Sequence, residues 1–282
     1  MSGLFNFSQE EMLSFFAVLV RLSVIFSVIP FLGDRLIPMP VKVLLSLSVT
    51  IALFPILVSR GEVRVGEAAI WGQTAAGIAS TIGVETVFAL LLGFTARMVF
   101  ESINFGGNLV GNFMGFAAAS TYDPHQESQT QVVAQIQTSI AMLLFLALDG
   151  HHAMLRAAAG SFRVVGVGGM TLLGVPITPG KVLFGAAVGQ KLIQLSGQVI
   201  AFAVQLTAPV AVSLFAVNVA FGVIAKALPQ MNILVLSLAI SALIGLLVMF
   251  ISLGEFQSVS VDILSRVGEW MESIMVVVAQ GK

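Results

Sequence analysis

The chain has 282 residues, of which 57% are hydrophobic and 10% charged, and its mean hydropathy is +1.02. Soluble domains carry about 25% charged residues, so a water-soluble fold of this length lacks the polar cover its exterior needs. A net charge of −1 gives no field directed at nucleic acid, and the absence of cysteine excludes disulfides, thiolate metal sites and cysteine nucleophiles.

Lipid is the solvent this composition fits, and within lipid only helices or closed barrels satisfy their backbone. Barrel strands alternate apolar and polar residues. The apolar stretches here are long and continuous, so the expected fold is an all-α integral membrane protein. Six apolar regions follow in chain order: Met12–Leu32, Val41–Val58, Ala68–Phe100, Val132–Leu148, Val182–Val223 and Ile233–Leu253. At about 20 residues per span they predict roughly five to eight crossings. The third and fifth are too long for one simple span, which leaves a hairpin, a tilted helix or a broken helix. Pro209 is expected to kink the fifth. Glu10 and Glu11 before the first region, with no basic residue ahead of Arg21, do not resemble a cleaved signal peptide. Lys and Arg are spread too evenly over the loops to set an orientation.

Between and within these regions lie the residues that could carry function. Arg21, Glu85, Arg97, Glu101, Lys191 and Lys226 fall in or beside apolar runs, where a charge is expensive. Structural ion pairing or snorkelling is one reading; coupling groups of a small-solute transporter, drawn from Glu85, Arg97 and Lys191, is another. Gly107, Gly111 and Gly115 form a GxxxGxxxG series, accompanied by Gly106, Asn104, Asn108 and Asn112. That series fits either a close helix-packing face or a movable, irregular plug lining a pore. Gln190, Gln194, Gln198 and Gln205 share one helical stripe, with Gln131, Gln135 and Thr138 forming a shorter one. Such amides are costly against lipid and point to partner contacts or a wet lumen.

Chemistry is otherwise sparse. Asp149, His151 and His152 lack the convergent spacing of a zinc site, so no metal is expected. Gly166, Gly168 and Gly169 do not make a dinucleotide fingerprint, and no P-loop or serine elbow is present. No enzyme activity and no cofactor are expected. The tail 255–282 sets Ile263, Val267, Trp270 and Ile274 at helical spacing against Asp262, Arg266, Glu269 and Glu272. It reads as an amphipathic helix, lying either at the membrane interface or packed on the bundle.

Three passages together carry a family resemblance: Arg21–Pro55 (RLSVIFSVIPFLGDRLIPMPVKVLLSLSVTIALFP), Gly107–Pro124 (GNLVGNFMGFAAASTYDP) with Leu148–His151 (LDGH), and Asn218–Asn232 (NVAFGVIAKALPQMN). Their order and spacing resemble the flagellar biosynthetic protein R family, called T in the related injectisomes. The resemblance spans nearly the whole chain as one domain, 1–282. It implies broken helical hairpins packed into a multi-subunit export gate of the bacterial inner membrane and flagellar basal body. It also implies P-type and Q-type export proteins, other type III export membrane proteins and unfolded export substrates as partners. A loop similar to Gly106–Phe116 plugs the channel in that family. Carried onto this chain, Gly107, Gly111 and Gly115 supply bends and Phe113, Met114 and Phe116 supply the seal, with Gly106 and Asn112 as further plug positions. The resemblance favours a flagellar machine, with an injectisome as the alternative.

Overall fold

The computed structural model describes residues 8–30, 37–116, 129–169, 171–172, 175–176, 185–227 and 233–280. Ten α-helices are described: α1 (Gln9–Val28), α2 (Met39–Ser59), α3 (Ala68–Trp71), α4 (Ala75–Phe113), α5 (Gln129–Ala147), α6 (Gly150–Val164), α7 (Ala186–Ala227), α8 (Ile233–Ile251), α9 (Leu253–Ser265) and α10 (Val267–Gln280). Among the described residues, the strands are one two-residue antiparallel ladder pairing Thr171–Leu172 with Val175–Pro176. The fold is all-α.

Four helices (α1, α2, α4 and α7) are long and apolar enough to cross a membrane, or up to six spans if α5 with α6 and α8 with the tail each count as one bent span. The bent pairs correspond to the expected broken hairpins. α4, with 39 residues, continues past the apolar third region through the polar stretch as far as Phe113. α7 runs 42 residues and continues through Pro209. The proline does not break the helix. Proline removes one backbone donor, and the neighbouring turn is reinforced by Ser213 Oγ, which donates to the Pro209 carbonyl at 2.8 Å.

Helix ends follow local chemistry. Ser8 caps α1 reciprocally with Glu11: the Glu11 N–H donates to Ser8 Oγ at 3.1 Å and the Ser8 N–H donates to Glu11 Oε2 at 2.9 Å. Two residues past the end of α5, Asp149 takes φ 55°, which suits a short polar side chain better than a branched one.

The chain divides into two compact units, each discontinuous in sequence. Unit 1 comprises Met1–Arg97, His151–Leu195 and Val267–Lys282; unit 2 comprises Met98–Gly150 and Ser196–Arg266. In unit 1, α1 packs along α2, with Phe15 and Phe54 edge to face at 5.5 Å. In unit 2, α9 packs along α5, and Phe100 meets Phe145 edge to face at 5.0 Å. The amphipathic tail is two helices rather than one. Ile263, Val267, Trp270 and Ile274 are all buried, which is the packed alternative rather than the interfacial one.

Candidate functional site

Unit 2 holds the segment singled out by its glycines. Gly106 and Gly107 lie on α4 where two other helices come close. A methyl group on Gly107 would sit 2.5 Å from Ala134 Cα of α5 and 2.8 Å from Gln137 Oε1. One on Gly106 would sit 3.2 Å from the Ala203 carbonyl oxygen of α7. Thr207 Oγ1 lies 2.7 Å from the Ala203 carbonyl oxygen and 3.1 Å from that of Gly106, sharing its single hydrogen between them. These two glycines serve close helix approach.

The segment then changes character. Gly111 is buried, Asn112 and Phe113 are exposed, and Phe113 ends the helix. Gly115 takes φ 86°, in the left-handed region where a side chain is strained. Met114 is fully buried with Val110, Val133, Val210 and Leu214, and Phe116 packs against that cluster. Of the three large groups expected to seal a channel, one is therefore exposed and two are held inside unit 2. Residues Ala117–Pro124 of the resembling passage lie outside the described residues.

The amide stripes are placed as follows. Gln190, Gln194 and Gln205 are exposed on α7, Gln198 is half-buried and Gln135 is exposed on α5. Gln131 falls in α5, but its side chain lies outside the described residues. Gln137 was missed by sequence reasoning. It is buried beside Gly107 with Oε1 unpartnered, and its only sequence signal is an amide three positions from Ala134 on the close-approach face.

Unit 1 holds a second constellation. Arg21 of α1 and Glu85 of α4 are 1% and 0% exposed and form a two-pronged ion pair, through Nε to Oε2 and Nη2 to Oε1. Nη1 also donates to the Val165 carbonyl at 2.9 Å and to Ser161 Oγ at 3.3 Å, and Nη2 to the Gly166 carbonyl at 3.2 Å. All five guanidinium N–H donors are thus used. The N–H of Gly168, whose φ is 73°, donates to Glu85 Oε1 at 2.6 Å. Phe162 and Phe88 lie 4.1 and 5.0 Å from the guanidinium carbon, so water is excluded and the cation faces two rings. This node joins α1 and α4 to the turn that follows α6. Sequence reasoning named the two charges, whereas Ser161 and the backbone partners carried no signal.

The node also bears on the transporter reading. Glu85 is consumed by Arg21 and Gly168, Lys191 Nζ donates to Gln194 Oε1 at 3.4 Å, and Arg97 is exposed. Among the described residues, no bond brings the three together. Lys226 is exposed in the last turn of α7, where a cation favours the helix dipole.

Comparison with known proteins identifies the lineage. The family model described as bacterial export proteins, family 1, matches residues 12–267. The chain belongs to that family. Relatives in it include the flagellar biosynthetic protein FliR of Escherichia coli strain K12, 26% identical over 247 residues and covering 86% of each chain. FliR of Pectobacterium carotovorum is 25% identical over 261 residues, covering 93% of this chain and 92% of its own. The Yop proteins translocation protein T of Yersinia pestis is 25% identical over 174 residues, covering 60% of this chain and 61% of its own. This member of bacterial export protein family 1 is thus a helical protein of the bacterial inner membrane that takes part in protein export.

Proposed function

We propose that this chain is a core, non-enzymatic subunit of the flagellar type III protein-export gate, contributing one wall of the channel for unfolded substrates together with its plug. The observation that carries this reading is the match along residues 12–267 to an export family whose flagellar members align over nearly their full length. The 106–116 segment is the plug. Gly106 and Gly107 anchor it between α5 and α7, Gly115 turns it, and exposed Phe113 faces the substrate path while Met114 and Phe116 hold the closed position. The exposed amides Gln190, Gln194 and Gln205 are contacts to P-type and Q-type sister subunits. Work for export comes from elsewhere in the apparatus.

Two measurements test this. Purification of a tagged copy from its native membrane in gentle detergent should bring down the P-type and Q-type proteins. A monomer or homodimer, with those partners left in the membrane, would refute the gate role. Gly111→Asp puts a carboxylate at a buried position within the plug and should raise closed-state leakage or block export. Unchanged leakage and export together would refute the plug while leaving the gate role standing. The injectisome reading rests on the Yersinia relative; restored swimming in a strain lacking its flagellar counterpart would decide for the flagellum.

A further inference from the structure

In unit 2, the last third of α4 carries a polar stripe on the side away from its packing. Glu101, Asn104, Asn108 and Asn112 follow one another at intervals of three, four and four residues, which places them on one helix face. The other side of the helix is covered: Ile103, Val110 and Met114 are fully buried, and Gly107 meets α5. Glu101 and Asn112 are exposed, while Asn104 and Asn108 are half-buried. Phe105, 40% exposed, neighbours Glu101 and Asn108 on the helix surface.

The stripe is ordered as a ladder. Asn108 Nδ2 donates to the Asn104 carbonyl at 2.9 Å and lies 3.3 Å from Asn104 Oδ1. Asn104 Nδ2 in turn donates to Glu101 Oε1 at 3.3 Å. A side-chain amide has two N–H donors and a carbonyl with two lone pairs, so each rung keeps capacity for a further partner. Asparagine is a poor helix former, and a row of amides is costly against lipid. The face therefore calls for water or a polar partner.

Spacing narrows the partner. Four residues of α-helix rise about 6 Å. Two residues of extended chain rise about 6.6–6.8 Å, and that two-residue step is the period at which an extended backbone repeats. From Asn104 to Asn112 the helix advances about 12 Å, against about 13 Å for four extended residues. Rotation about the broad χ2 of asparagine absorbs the difference.

We infer that the Asn104–Asn108–Asn112 face is a track for extended, unfolded polypeptide, which it holds by main-chain amides, with Phe105 as a sequence-tolerant apolar contact beside it. Main-chain hydrogen bonds give affinity without selecting side chains, so one track serves substrates of unrelated sequence. The inference rests on the gate reading and deepens it. At Asn112 the stripe enters the plug segment, so a sister helix clamped along this face would pin the element that has to move.

The test is photocrosslinking in the assembled gate in cells, with benzoylphenylalanine in place of Phe105 or, separately, of Phe113. Two export substrates of unrelated sequence are the probes, each stalled by a fused domain that does not unfold. Both should form adducts at Phe105. Asn108→Leu should lower that yield about fivefold for both substrates, the share of one neutral hydrogen bond. Asn108→Ser, which keeps a donor and an acceptor, should restore most of it. Yields are taken relative to Phe113 in the same variant, so loss of folded gate cannot imitate the effect. A yield unmoved by Asn108→Leu, or lowered for one substrate alone, overturns main-chain recognition. Substrate adducts at Phe113 with none at Phe105 overturn the track and leave the gate reading standing. None at either position overturns the gate reading and the track with it. Adducts from Phe105 to a sister subunit alone would make this face a subunit contact and overturn the inference.

Discussion

Arg21→Met is expected to be among the most damaging single substitutions in unit 1, and the structure sets its scale. Arg21 and Glu85 are both fully buried. Removing one partner of a buried ion pair costs about 3–5 kcal/mol, because the other charge is left uncompensated. Losing Arg21 also strips a donor from the carbonyls of Val165 and Gly166, at about 1–3 kcal/mol for each unsatisfied group. The sum exceeds about 5 kcal/mol, which for a chain of this size lowers the melting temperature by roughly 10 °C or more. Glu85→Met is milder, because Arg21 keeps both carbonyls and two aromatic faces, and only the Gly168 N–H is newly orphaned. The double variant Arg21→Met/Glu85→Met buries no charge, so it should be no worse than Arg21→Met alone. The coupling between the two sites should therefore reach about 2 kcal/mol or more.

Intrinsic fluorescence during heating in detergent suits this measurement, since both tryptophans, Trp71 and Trp270, belong to unit 1. Apparent melting points are compared at one scan rate because unfolding of such proteins is commonly irreversible. Strictly additive shifts, or an Arg21→Met shift below about 3 °C, would refute the account of the node.

Other substitutions separate close packing from open helix surface. Gly107→Ala should destabilise by about 1–3 kcal/mol, because its methyl meets the α5 backbone at Ala134. Gly197→Ala, with nothing within 4 Å, should be neutral or stabilise by up to about 1 kcal/mol; equal thermal shifts for the two would contradict the packing assignment. Gly115→Ala should cost about 1–2 kcal/mol through its positive φ and alter channel leakage, while wild-type leakage would count against a turning role in the plug. Glu67, between the α2 and α4 spans, has its carboxyl raised above the usual value of 4.5 by burial, an effect the Arg64 charge partly offsets. The folded state then holds this proton more tightly than the unfolded one, so stability contributed by Glu67 falls as pH rises from 4.5 through the raised value. Glu67→Gln should flatten the pH dependence of melting in that window; a slope unchanged from wild type would refute it.

Much of the architecture is legible in the chain itself. A 57% apolar composition demands lipid, and continuous apolar runs demand helices. The six runs correspond to the four long helices and two bent pairs. Boundaries were less legible. Hydropathy reports burial in lipid, whereas a backbone continues wherever neighbours allow, so α4 extends through its asparagines and α7 through Pro209. The GxxxGxxxG spacing was ambiguous for a related reason. Period four places Gly107, Gly111 and Gly115 on one face of any helix, but Gly107 meets α5 while Gly115 ends the element.

The sequence by itself determined the solvent, the helical class, the family and the identity of the costly charges, because each depends on composition, local spacing or linear resemblance. Only the tertiary structure decided what those charges do. Arg21 and Glu85 stand 64 positions apart and meet through folding, joined by the backbone groups of Val165, Gly166 and Gly168. Arg97, a guanidinium like Arg21, is left exposed on α4. The difference between a buried structural lock and an exposed charge is thus set by which helices pack beside each one, and that is a long-range property no local pattern encodes.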